Sequence, residues 1–152
     1  MTERRPLSVD LVLVPVDASE ESTEAVAHAA AIAAEYDATV HVVHVLGEDV
    51  VQAIEDGIVD ETEVAADGQA ITETAERIAD DHGVSLSTSV AYGFSTKMKL
   101  RHPGSVVLDT AEELDADFLV VPREPLSGDP GEVLAKAAEY VLLYASQPVL
   151  SV

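Results

Sequence analysis

Two continuous apolar runs, Leu11-Val12-Leu13-Val14-Pro15-Val16 and Phe118-Leu119-Val120-Val121, lie far apart in the chain and are both hemmed in by polar punctuation. Asp10 and Asp17 bracket the first, while Asp115 and Asp117 precede the second and Pro122 ends it. Short apolar runs without alternation are the mark of strands covered on both faces, and such strands belong to parallel sheets with a helical layer on each side. Thr39 to Leu46, reading T-V-H-V-V-H-V-L, is a further strand. Val84, Leu86, Thr88 and Val90 alternate into another that ends at Tyr92-Gly93, and Val149 to Val152 closes the chain as a last apolar strand.

The text between the strands is helical. Ser19 is placed as an N-cap with Glu20 and Glu21 beside the positive helix end, and Val26, Ala29, Ile32, Ala33 and Tyr36 recur along one face. Gly47 to Gly68 is acidic and weakly periodic, so the expectation there is a long surface connection with at most a helical turn around Val50 to Ile54. Ile71, Ala75, Ile78 and Ala79 mark a second helix closed by His82-Gly83. Val107, Thr110, Ala111 and Leu114 mark a third, with Ser105 as its expected cap. Asp129, Pro130 and Glu132 open a fourth along Val133, Leu134, Ala137, Val141 and Tyr144, which Gln147-Pro148 stops.

The order is therefore β-α-β-α-β-α-β-α-β in a single domain over residues 1–152. With right-handed crossovers it builds an α/β fold, a three-layer α/β/α sandwich around a doubly wound, five-stranded parallel sheet. Ligands of such sheets bind beyond the carboxyl ends of the strands, an edge that holds Asp17, Val45, Gly93 and Pro122.

Charge narrows the choice of partners. Asp and Glu number 29 against 8 Lys and Arg, a formal net charge of −21, and repulsion of this size opposes binding to nucleic acid phosphates. The hydrophobic fraction of 47% and the clear periodicity argue for a folded domain rather than an acidic coil. An acid-coated surface suits a salt-rich, halophile-like cytoplasm, and stability is expected to rise with salt as counterions screen the self-repulsion. There is no cysteine, so thiolate chemistry and disulfides are out and a reducing, cytoplasmic setting fits. No stretch reaches membrane-spanning length, and Asp10 interrupts any leader that Arg4-Arg5 would begin.

Candidate sites follow from spacing. His41 and His44 are three apart on a strand and point to opposite faces, so they do not share a metal ion. Lys97, Lys99 and Arg101 hold three of the eight basic side chains at a spacing of two, either as a solvated loop or as a loop that takes an anion or an acidic partner. The chain has no G-x-S-x-G elbow, no P-loop, no G-x-G-x-x-G after the first strand and no Asp ending the third strand. No enzyme is expected. The uncharged last strand, Val149, Leu150, Ser151 and Val152, offers an edge that either recruits a second copy or pairs only within its own sheet.

The stretch from Phe118 to Val152, together with the first strand and helix, resembles the universal stress protein family. There a fourth strand runs into a glycine-rich loop and a helix, ahead of a last strand like Pro148-Val149-Leu150-Ser151-Val152. In the nucleotide-binding branch the loop reads Gly, two residues, Gly, nine residues, then Gly and Ser or Thr. Those positions fall here on Pro122, Pro125, Ala135 and Lys136. Glycines reach positive φ and bring N–H groups to phosphate oxygens, whereas proline has no N–H to give. Lys136 replaces the hydroxyl and retains only a point-charge attraction for a triphosphate.

The resemblance thus implies a dimeric binding or signalling module of the branch without the ATP loop, carrying no cofactor. It also implies a vestigial nucleotide pocket. Asp17 matches the family's acid after strand one, and Pro15, Val45 and Val121 match the pocket's lining, with Lys136 near the phosphates. In the alternative reading these residues and the sheet edge hold AMP or ATP as a switch. Asp17 also reads simply as a helix-opening acid. Homodimer pairing of the last strands is implied as well, and other stress proteins are the further partners expected.

Overall fold

A computed structural model gives the architecture, and it describes residues 7–17, 20–46, 56–58, 60–92, 103–122 and 132–152. Five strands, β1 (Leu11–Val16), β2 (Thr39–Leu46), β3 (Leu86–Tyr92), β4 (Phe118–Val121) and β5 (Val149–Ser151), form one sheet in the order β3-β2-β1-β4-β5. Every pairing is parallel. The connecting helices are α1 (Glu20–Tyr36), α2 (Glu61–His82), α3 (Pro103–Glu113) and α4 (Glu132–Tyr144).

The sheet has a core on each face. Val12, Val14, Val16, Val40, Val42 and Val120 pack with Val26, Ala29 and Ala33 of α1 and Ala75 of α2. Leu13, Val43, Val45, Leu119 and Val121 pack with Val107 and Ala111 of α3 and Ala137, Ala138 and Val141 of α4. Alternation along a strand sends neighbouring side chains to opposite layers, so the continuous valine runs feed both cores at once. Alanines on the inward helix faces let the backbones approach the sheet, and Gly104 does the same between α3 and α4, where a Cβ would collide with Tyr140.

Acidic residues shape the ends of these elements. Asp117 draws β1 and β4 together by accepting the N–H groups of Asp10 (2.7 Å) and Leu11 (3.0 Å) with Oδ2. Asp37 and Asp115, at φ of 55° and 54°, make the left-handed exits of α1 and α3 that glycine more often makes. Gly83 has that role after α2, at φ 68°, and its N–H bonds back to Ala79 and Asp80.

Two helix starts differ from expectation. The helix marked by Ile71 and Ala75 begins at Glu61, inside the stretch expected as connection, because Asp60 caps it: its Oδ1 accepts the Thr62 N–H (3.1 Å) and hydroxyl (2.8 Å). Helix α3 begins at Pro103, a residue type suited to a first helical position, so Ser105 lies within the first turn instead of capping it. The expected cap residues Ser19 and Asp129, Pro130 after it, and the turn around Val50 to Ile54 lie outside the described residues.

Candidate functional site

The carboxyl edge of the sheet is reached first through β1, and the residue that leaves it is Asp17. Its backbone N–H donates to Ser22 Oγ (2.9 Å), and the Ser22 hydroxyl donates to Asp17 Oδ1 (2.9 Å). Ser22 is buried at 2% exposure. The pair ties the end of β1 to the first turn of α1, so one carboxylate oxygen of Asp17 is held by the fold itself.

Beside Asp17 opens a cavity of about 340 Å³ between α1 and α2, lined by Val16, Asp17, Thr23, Val26, Ile71 and Thr74 among others. Its walls mix apolar side chains with Asp17, Ser22, Thr23 and Thr74, and Thr74 turns its hydroxyl back to the Ala70 carbonyl at 3.1 Å. Among the pocket residues named from sequence, Asp17 lines it. Val45 and Val121 are buried in the core on the opposite side of the sheet, and the alternation of β1 puts Pro15 on that side with Leu13. Pro122 is buried directly after β4. Lys136 and Ala135 belong to α4 by backbone, but their side chains lie outside the described ones, as do Pro125, Lys97, Lys99 and Arg101 entirely.

The histidines divide between the layers. His44 stands on the α2 side next to Gly68, where an added Cβ would sit 3.2 Å from its Nδ1. His41 points the other way and is buried at 6% exposure, with Nδ1 2.7 Å from Ser87 Oγ and Nε2 2.8 Å from Ser89 Oγ on β3. Burial holds its pKa below the ordinary 6.5. Nothing in the sequence pattern singled out this histidine with its two serines, because the contact depends on the β2–β3 register, which sets His41 opposite Ser87.

At the far edge, β5 pairs with β4 through Leu119↔Val149, Val120↔Leu150 and Val121↔Ser151, and the Val152 N–H donates to the Val121 carbonyl at 3.0 Å. Leu150 remains 36% exposed, and the last turn of α4 leaves Leu142, Leu143 and Tyr144 exposed as well.

Comparison with known proteins agrees with this arrangement. The model of the universal stress protein family matches residues 9–152. A universal stress protein of Methanocaldococcus jannaschii is 28% identical over 145 residues, which cover 93% of this chain and 80% of that protein. A universal stress protein solved in complex with cAMP superposes with a TM-score of 0.65 at 23% identity, over 95% of this chain and 97% of the other. The universal stress protein from Archaeoglobus fulgidus in complex with dAMP gives 0.64 at 19% identity, over 95% and 98%.

Proposed function

The chain belongs to the universal stress protein family, and on that premise we propose that it is a non-catalytic, cytoplasmic binding or signalling module of the stress response. It works as a homodimer and does not hold ATP through the family's glycine loop. The observation that carries the reading is the pair of Asp17 and Ser22: a carboxylate that accepts the hydroxyl of the first turn of α1 at 2.9 Å acts first as a helix-opening residue. The sequence supports it further, since Pro122 and Pro125 offer no N–H where the loop requires donors.

The dimer of this proposal pairs Val149, Leu150, Ser151 and Val152 with their counterparts in a second copy. Exposed Leu142, Leu143 and Tyr144 support it, since uncharged apolar surface beside a strand edge favours association. Lys97, Lys99 and Arg101 are assigned to an acidic partner, such as another stress protein, or to a small anion.

A second reading is favoured by one observation, that two solved relatives are complexes with cAMP and dAMP. In it, Asp17, Val45 and the sheet edge, with Lys136 near the phosphates, hold AMP or ATP as a switch. Mass spectrometry of the supernatant after denaturing protein purified in high salt separates the two. The first reading expects no adenine nucleotide; a stoichiometric one replaces it with the second.

A further inference from the structure

The longer free edge of the sheet is β3, at the end opposite β5. The register Val40↔Leu86, with the Val40 N–H donating to the Ser85 carbonyl at 3.0 Å, fixes the direction of each peptide group along it. In a parallel ladder the residues on either side of Leu86 bond to β2. Ser87, Ser89 and Ala91 therefore face inward, and Leu86, Thr88 and Val90 direct both N–H and C=O outward. Among the described residues no strand pairs on that side.

Edges of this kind are usually blunted by lysine, proline, a bulge or short length. Leu86–Tyr92 reads L-S-T-S-V-A-Y, with neither charge nor proline, and its register with β2 runs through seven consecutive pairs without a bulge. Ser87 and Thr88 are exposed, and Val90 is 57% exposed. The strand is also held in place from within, because His41 binds the hydroxyls of Ser87 and Ser89. A template fixed in advance loses little freedom when a segment adds to it.

We infer that β3 is the acceptor edge for an extended, basic segment of a partner protein, which adds as a sixth strand. The charge follows from the layer alongside. Leu86 packs in the same core as Ile71, Ala75 and Ile78 of α2, and this helix exposes Glu73, Glu76, Asp80 and Asp81 against Arg77 alone across that stretch. A segment with Lys or Arg at alternate positions meets these carboxylates on one face of the enlarged sheet and small hydroxyl side chains on the other. A second copy of this chain would bring the same carboxylates together on top of a net charge of −21, so self-pairing is opposed here. The inference rests on the sheet edge and holds whether or not a nucleotide is retained.

The probe is the capped peptide Val-Lys-Val-Lys-Val-Lys-Val, titrated into the full chain at fixed salt and followed by calorimetry and by amide shifts. Saturable binding with shifts centred on Leu86, Thr88 and Val90 is expected. Thr88→Pro removes an outward N–H while leaving the ladder to β2 whole, so it weakens binding at least about tenfold with little change in melting. Should that variant not fold, the same peptide N-methylated on the amides that face β3 makes the test from the other partner, again with a loss of at least about tenfold. Equal affinity for the methylated peptide, or for Pro-Lys-Pro-Lys-Pro-Lys-Pro, would reduce the binding to general attraction for an acidic surface and overturn the inference. So would a β3-dependent mass of two copies in light scattering, since the occupant would then be the chain itself.

Discussion

At one edge of the sheet, β3 runs for seven residues with uncharged side chains and lies beside an acidic helix. At the other, β5 runs for three, and the helix turn that leads into it exposes Leu142, Leu143 and Tyr144. Among the described residues neither has a neighbouring strand on its outer side, yet their surroundings select different company. Apolar surface gains by meeting its own kind, which needs no charge match and suits a twofold pairing. A polar edge flanked by carboxylates repels its own copy and favours a cationic segment. In the two proposals the same backbone chemistry is put to different uses according to the side chains around it.

The largest effect that tests this contrast is expected at β5. Leu150→Asp places a carboxylate in the centre of the proposed twofold contact, and truncating or charging such a position costs about 2 kcal/mol or more of association, a loss of at least about thirtyfold. Sedimentation equilibrium at constant salt should show monomers where the parent shows dimers, with peptide binding at β3 unaltered. A parent that is monomeric at every concentration would remove the self-pairing half of the contrast, and a charged variant that stays dimeric would move the interface elsewhere.

The next effect lies on β2, at the histidine that holds β3 from its inner side. His41→Ala removes a buried ring and leaves the Ser87 and Ser89 hydroxyls without it, and a loss of about 2 kcal/mol is expected in denaturant titrations. Hydrogen exchange should rise in β2 and β3 and not in β5. The histidine also gives this edge a dependence on pH. Because burial keeps its folded pKa below 6.5, the unfolded chain takes up the proton first. Its contribution is complete above about 6.5 and is lost as pH falls from there through the folded pKa. His41→Gln keeps a donor and an acceptor without titrating, so the difference in stability between parent and variant should change across that interval. A constant difference would show that the imidazole does not titrate in this way.

Much of this frame was legible in the sequence. The ends of β1 and β4 are marked by Asp17 and Pro122, and the shortness of their apolar runs, with β-branched residues and polar punctuation at either end, favours strands buried on two sides. The start of α2 was missed because apolar periodicity becomes visible only at Ile71, while the signal at Asp60 and Thr62 is a cap, a local hydrogen bond that leaves no period. Gly68 added to the error: it reads as a break, yet within the helix it leaves room for His44. Asp37 and Asp115 look like surface acids, and only their positive φ reveals them as helix exits. The contacts of His41 span 46 and 48 residues, so they exist only once the register is set. Site chemistry was less legible than topology for the same reason, since the Asp17–Ser22 pair exists only once the end of β1 and the first turn of α1 are brought together.

The smallest change in stability is expected to separate the two edges most sharply. Val90 is more than half exposed and its peptide group points outward, so Val90→Lys touches no described core contact and should alter stability by no more than about 0.5 kcal/mol. A lysine there is the kind of side chain by which edge strands avoid partners, and it places a like charge against an incoming basic segment. Binding of the Val-Lys peptide should fall, and the decrease should shrink as salt screens the repulsion. Val90→Thr at the same position keeps a β-branched, uncharged side chain and should bind like the parent. If lysine and threonine behave alike, the bareness of β3 is only a neutral surface, and the contrast with β5 comes down to one edge that associates and one that does not.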